Sequence, residues 1–201
     1  MRYYGIFDID GVIIDLLGAA RSLNSAEKYE GVDIDYYDAT ANSYISSYLG
    51  TNPMMHRFFE EPIMDNVDPI LRGDIVPVAF VTARGTEHLP YLIRHPNAIV
   101  RKVLNMAPIF CTNGGHKANI VDGIDKALPD SFQQQLCYFD DNLNNCLQVI
   151  SMSFGAKSGD VHVVNTKAPG VTLEEHDNYD VWSFESVQSY LDDQMEVQSD
   201  G

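Results

Sequence analysis

Apolar residues gather along the chain in short, nearly unbroken runs. The first, "YYGIFDI" at 3–9, is rich in aromatic and branched side chains, as expected for a strand covered on both faces of a parallel sheet. Similar runs are "VPVAFVT" (76–82), "QLCYFD" (135–140) and "VHVVNT" (161–166). A weaker fifth strand is read in "MAPIFCT" (106–112), where Pro108 fits best at a strand start or an edge. Helical spacing follows at about 86–95, 116–128 and 142–153, with a closing helix at about 183–194. Strands alternating with helices predict an α/β fold with a parallel sheet flanked by helices.

One interval breaks the alternation. Residues 12–74 hold tyrosine-rich, mostly helical pieces such as "DYYDATANSYISSYL" and "MMHRFFEE", too long a stretch for an ordinary loop. The expected organisation is a catalytic core of residues 1–11 and 75–201, with 12–74 inserted after the first strand as a helical cap over the sheet's carboxyl edge. An insertion there can grow without disturbing the sheet.

Composition narrows the function. With 201 residues and a formal charge of −16, the chain fits a globular domain whose surface repels a nucleic-acid backbone. A local cationic pocket for one phosphate stays compatible with that charge. Cys111, Cys137 and Cys146 have no metal-ligand spacing and are odd in number, so they read as reduced residues of a cytoplasmic protein. No apolar run approaches the roughly 18 residues of a membrane-spanning helix. The six histidines form no H-x-x-x-H pair or Cys/His cluster, which argues against zinc. Tyr36, Tyr37, Tyr44 and Tyr48 fit one face of a helix, a pattern of packing more than of base stacking.

The chemistry concentrates at strand ends. Asp8 closes the first strand, Thr82 the second and Asp140 with Asp141 a third; in an open parallel sheet the ligand crevice lies at these carboxyl ends, so the residues should converge. A carboxylate such as Asp8 can attack phosphorus and split a hard displacement into two easier steps. Asp10, two residues on, can protonate the leaving oxygen and later take a proton from water, with Gly11 letting the backbone turn away. The candidate magnesium ligands are Asp8, Asp10, Asp140 and Asp141, with the carbonyl of Ile9 as a further hard oxygen. Phosphate oxygens would meet the Thr82 hydroxyl, backbone N–H groups at Ala83 and its neighbours, the Arg84 fork, and Lys117 at a helix start. A calcium loop built on Asp8 and Asp10 fails: with Gly11 sixth, the twelfth position holds Leu17 instead of glutamate.

In this order, "DIDGV", "VTARG", Lys117 and "FDDNLNN" resemble the four motifs of the haloacid dehalogenase superfamily of phosphohydrolases, over about residues 3 to 165. The resemblance implies a Rossmann-like core, Asp8 as nucleophile, Asp10 as acid and base, Thr82 and Lys117 on phosphate, and Asp140 or Asp141 on magnesium. Asn145 departs from it, standing where the fourth motif often has another acid. A looser likeness links "DIDGV", "DYYDA", "FVTAR" and "YFDDN" to the phosphatase part of polynucleotide kinases and to short phage and bacterial relatives, although a kinase P-loop is absent. The expected function is magnesium-dependent hydrolysis of a small phosphorylated metabolite or nucleotide. Two rival expectations are a phosphatase of nucleic-acid ends and a non-enzymatic binding protein on the same fold.

Overall fold

The computed structural model describes residues 3–15, 60–129, 136–152, 162–166 and 181–199. Six parallel strands form one sheet: β1 (Tyr3–Phe7), β4 (Ile75–Thr82), β5 (Ile109–Cys111), β6 (Leu136–Asp140), β7 (His162–Asn165) and β8 (Val181–Ser183). Their order is β5-β4-β1-β6-β7-β8, which puts β1 at the centre between β4 and β6. A separate antiparallel pair joins β2 (Ile14–Asp15) to β3 (Glu61–Pro62).

Strand alternation divides the core into two layers. On one face Tyr3, Phe7, Phe80 and Phe139 pack with residues of α1 (Met64–Arg72), α2 (Leu89–Ile93), α3 (Ala98–Leu104) and α6 (Val187–Ser199). On the other, Ile6, Ala79, Val81, Leu136 and Tyr138 meet α4 (Ala118–Ala127) and α5 (Leu143–Ser151). Phe7 and Phe139 stack nearly parallel at 5.0 Å across β1 and β6. Each fully buried ring stabilises the fold by roughly 1.5–3 kcal/mol. Because these runs are apolar on both sides, they suit a sheet covered by helices on both faces.

The α/β reading holds, and most expected elements lie within a few residues of their observed ends. Pro108 sits just before edge strand β5, where its missing N–H costs nothing and its carbonyl accepts from Phe80 at 2.9 Å. Pro77 lies inside central strand β4 at a register shift, where Gly5 pairs with Pro77 and Ile6 with Ala79.

Three differences have local causes. The helix expected over 86–95 is a 3-10 turn at Thr86–His88 followed by the short α2, which ends before Pro96. Helix α3, capped by the Asn97 side chain, and the three-residue β8 carried too little periodicity to read. The closing helix starts at Val187 instead of 183, because Ser186 accepts from Ser189 N at its start and Val181–Ser183 pairs with β7.

Of the insertion expected over 12–74, residues 16–59 lie outside the described residues. The chain is described again from Glu60, and α1 packs against the sheet with Val67 and Ile70 fully buried in the same layer as Phe7. Asn66 ties it to both neighbours, donating to Val12 O and accepting from Val187 N. Among the described residues, no helix is long and apolar enough to cross a membrane.

Candidate active site

Strand order gathers the polar ends. Asp8 follows directly after β1 and donates its N–H to Phe139 O at 2.8 Å, while Thr82 and Asp140 are the last residues of the flanking β4 and β6. Past Asp8 the chain turns sharply: Ile13 and Ile14 both donate to Ile9 O, and Gly11 takes φ 82°. A Cβ at Gly11 would lie 2.1 Å from Asp141 Oδ2, so only glycine lets this turn and the Asp141 carboxylate share the space.

Asp8 and Lys117 form the buried centre. The ammonium at the start of α4 lies 2.5 Å from Asp8 Oδ2 and 3.0 Å from Asp140 Oδ2, and Asp8 Oδ1 accepts from Ile9 N at 2.6 Å. Burial pushes the Asp8 carboxyl well above the usual carboxylate range; Lys117 pulls it back, while Asp140, Asp141 and Asp10 push it further up. For Lys117 burial acts to lower the ammonium's pKa, but Asp8 and Asp140 together raise it, so it stays charged.

Asp140 is held from all sides. Its Oδ2 accepts from Tyr138 OH at 2.5 Å as well as from Lys117, its Oδ1 accepts from Asn142 N at 2.8 Å, and Asn145 Nδ2 reaches both oxygens at 3.1 Å. Asn145, in the first turn of α5, thus serves the carboxylate that its acidic counterpart would repel.

Asp10 faces the β4 end. Arg84 meets it through Nε at 3.1 and 3.0 Å and Nη2 at 2.6 Å, and Thr82 Oγ1 donates to Asp10 Oδ2 at 3.2 Å. Thr82 Oγ1 also accepts from Arg84 N at 3.1 Å. The sequence reading gives Thr82 and Arg84 to a phosphate; here both serve Asp10, and Arg84 Nη2 also reaches Glu60 Oε1 at 2.8 Å. Ala83 is exposed, and its carbonyl accepts from Gly114 N at 2.7 Å, which ties the "TARG" and "TNGG" loops together. His116 lies at the rim with Nδ1 2.9 Å from Gln148 Oε1.

Asp8, Asp140 and Asp141 each offer one carboxylate oxygen, all within 4.8 Å of one another. Lys117 pairs with two of these three carboxylates, and the set of hard oxygens fits a small divalent cation. The Asp10 side chain, counted with them in the sequence reading, lies outside this group because Arg84 and Thr82 hold it on the β4 side.

Glu60, Tyr91, His95 and Tyr138 escaped the sequence reading. Tyr138 had a signal, since it lies two residues before Asp140 and so on the same face of β6. Glu60 had none, because its charge partner Arg84 is 24 residues away along the chain.

No protein-family model matches the chain, and none of the curated proteins matches it in sequence. Solved structures do. A HAD-superfamily hydrolase from Ehrlichia chaffeensis is 13% identical, covers 98% of this chain and 99% of its own, and superposes with a TM-score of 0.52. A protein from Bacteroides fragilis assigned as a haloacid dehalogenase-like hydrolase is 12% identical, with 94% and 100% covered and a TM-score of 0.55. A Clostridium difficile protein assigned as a phosphatase is 12% identical, with 96% and 98% covered and a TM-score of 0.55. The likeness to polynucleotide kinases gains no support from these comparisons. The chain has the fold of the haloacid dehalogenase superfamily.

Proposed function

We propose that this protein is a magnesium-dependent phosphomonoester hydrolase that works through an aspartyl-phosphate on Asp8, acting on a small phosphorylated metabolite or nucleotide. One observation carries the reading: a buried carboxylate paired with Lys117, with a second acid two residues on that is oriented by Thr82 and Arg84, all at the carboxyl edge of the central strand. The fold shared with hydrolases and phosphatases of the haloacid dehalogenase superfamily supports it.

In the first step a carboxylate oxygen of Asp8 bonds to phosphorus, the ester P–O bond breaks, and Asp10 gives its proton to the departing oxygen. In the second, Asp10 takes a proton from water as the water oxygen bonds to phosphorus; phosphate leaves and the Asp8 carboxylate is restored. Lys117 keeps its charge in this buried setting and offsets the negative charge of both the nucleophile and the arriving phosphate. Asp8, Asp140 and Asp141 would hold magnesium, with Asp140 fixed by Tyr138, Asn142 and Asn145. The ion supplies positive charge against the phosphate oxygens.

The formal charge of −16 favours a small substrate over a nucleic-acid strand. The test is phosphate release from p-nitrophenyl phosphate, nucleotides, sugar phosphates and 3′-phosphorylated oligonucleotides, with magnesium and with EDTA. Release that needs magnesium and disappears in Asp8→Asn is the expected result. A preference for oligonucleotide ends would replace the substrate class, and no release from any ester would leave the site a binding one.

A further inference from the structure

Glu60 is the least expected member of the site's surroundings. Its side chain is fully buried, although the residue has no helix or strand of its own to hold it. Glu60 directly precedes β3, which pairs with β2 through Ile14 opposite Pro62 and Asp15 opposite Glu61, and its link to the Asp8–Asp10 turn is the Arg84 side chain that also holds Asp10. A buried carboxylate is costly unless it is paired and hydrogen-bonded.

Both oxygens of Glu60 are engaged. Oε1 meets Arg84 Nη2 at 2.8 Å, and Oε2 accepts from Tyr91 OH at 2.5 Å and lies 2.8 Å from His95 Nε2. Asn97 N donates to His95 Nδ1 at 3.2 Å, which leaves the ring proton on Nε2, between Glu60 Oε2 at 2.8 Å and Tyr91 OH at 3.0 Å. The carboxylate is thus pinned by α2 and its flank at one oxygen and pulls on the guanidinium with the other. The same Nη2, together with Nε, holds Asp10, so one guanidinium nitrogen bridges the two carboxylates.

We infer that Glu60 is a positioning residue for proton transfer: through Arg84 it fixes the carboxylate of Asp10 where the leaving oxygen departs. The inference rests on the phosphohydrolase reading. Arg84 alone has several rotatable bonds and could follow Asp10 as it moves, whereas an Arg84 whose Nη2 is also tied to a pinned Glu60 presents one geometry. Tyr91 and His95 extend that anchor into the helical layer, so the acid is aimed by groups two and three contacts behind it.

Proton delivery gives a readout that simple loosening of the fold would not. A nitrophenolate leaves with little need of a proton, while an alkoxide needs one, so a misaimed acid penalises alkyl esters selectively. The experiment measures kcat/KM on p-nitrophenyl phosphate and on glycerol phosphate at saturating magnesium, for wild type, Glu60→Gln and Tyr91→Phe, each also in an Asp10→Asn background. Glu60→Gln should lose about tenfold or more on glycerol phosphate and clearly less on p-nitrophenyl phosphate. Tyr91→Phe, which removes one donor from Glu60 and no charge, should show the same selectivity at smaller size, and it carries the test if Glu60→Gln does not fold.

In the Asp10→Asn background the selective loss should vanish, since the group being aimed is gone. Equal losses on both esters, or an undiminished further loss without Asp10, would overturn the assignment. A wild type that hydrolyses neither ester would bring down the phosphohydrolase reading and this inference with it. An active wild type with an unaffected Glu60→Gln would overturn the inference alone.

Discussion

The Lys117 ammonium lies between Asp8 and Asp140, 2.5 Å from one carboxylate and 3.0 Å from the other, and is the cation serving both. Asp141 offers an oxygen within 4.8 Å of theirs, so carboxylates crowd around this ammonium. That crowding ties the stability of the site to its ionisation.

Asp8→Asn is expected to abolish turnover and, in EDTA at neutral pH, to unfold at a temperature no lower than wild type. The folded-state pKa of Asp8 is raised, chiefly by burial. Its contribution to stability is complete below the unfolded value of about 3.9 and is lost as pH rises through the folded one. At neutral pH wild type bears that loss, whereas the neutral amide does not. Thermal unfolding of both proteins in EDTA checks it, and a clearly lower midpoint for Asp8→Asn would contradict the raised pKa.

Asn145→Ala should raise the magnesium concentration needed for half-maximal thermal stabilisation by about tenfold to a hundredfold, the usual effect of removing a group that orients a metal ligand. Asn145 bridges both oxygens of Asp140 and is not among the three acids that could hold the ion. Melting curves across a magnesium titration measure this without recourse to activity. An unchanged midpoint would mean that Lys117, Tyr138 and Asn142 suffice to orient Asp140.

The strands and the meeting of their polar ends were legible because each depends on a local pattern. Asp8, Thr82 and Asp140 end apolar runs, and the rule that ligands bind at the carboxyl ends of a parallel sheet brings them together without coordinates. What stayed hidden depends on partners far apart in sequence. "TARG" shows an arginine beside a phosphate-type threonine, and nothing nearby shows that Asp10 and Glu60 take its fork. Likewise "VDPILR" reads as the end of an insertion, because the contacts of Val67 and Ile70 with the core come from strands and helices elsewhere in the chain.

Gly11→Ala is expected to impair both fold and site. The backbone there holds φ at 82°, which costs an L-residue roughly 1–2 kcal/mol, and the new Cβ would press on Asp141 Oδ2 from 2.1 Å. Because the clash falls on a candidate magnesium ligand, the variant should lose magnesium-induced stabilisation beyond its general destabilisation. Gly73→Ala is the control: it shares φ 82° but has nothing within 4 Å of its Cβ, so it should lose only the backbone share. Equal magnesium responses in the two variants would remove Asp141 from the proposed ion site.

Cys137 gives a pH dependence that is independent of the site. Burial pushes its thiol up to about 12, against a smaller lowering by its 3.3 Å contact with Tyr190 OH. The unfolded thiol titrates near 8.5, so the folded state holds its proton to a higher pH. Its stabilising share is complete below about 8.5 and is lost as pH rises towards 12, at about 1.4 kcal/mol per pH unit. Cys137→Ala should start less stable, because of the cavity, yet lose stability more slowly between about pH 8.5 and pH 10.5. Urea midpoints at the two pH values give the comparison, and parallel losses in the two proteins would show that the thiol does not control this slope. Iodoacetamide at about pH 8.5 adds a direct check: half-buried Cys111 should react in the native protein, with Cys137 and Cys146 reacting only after denaturation.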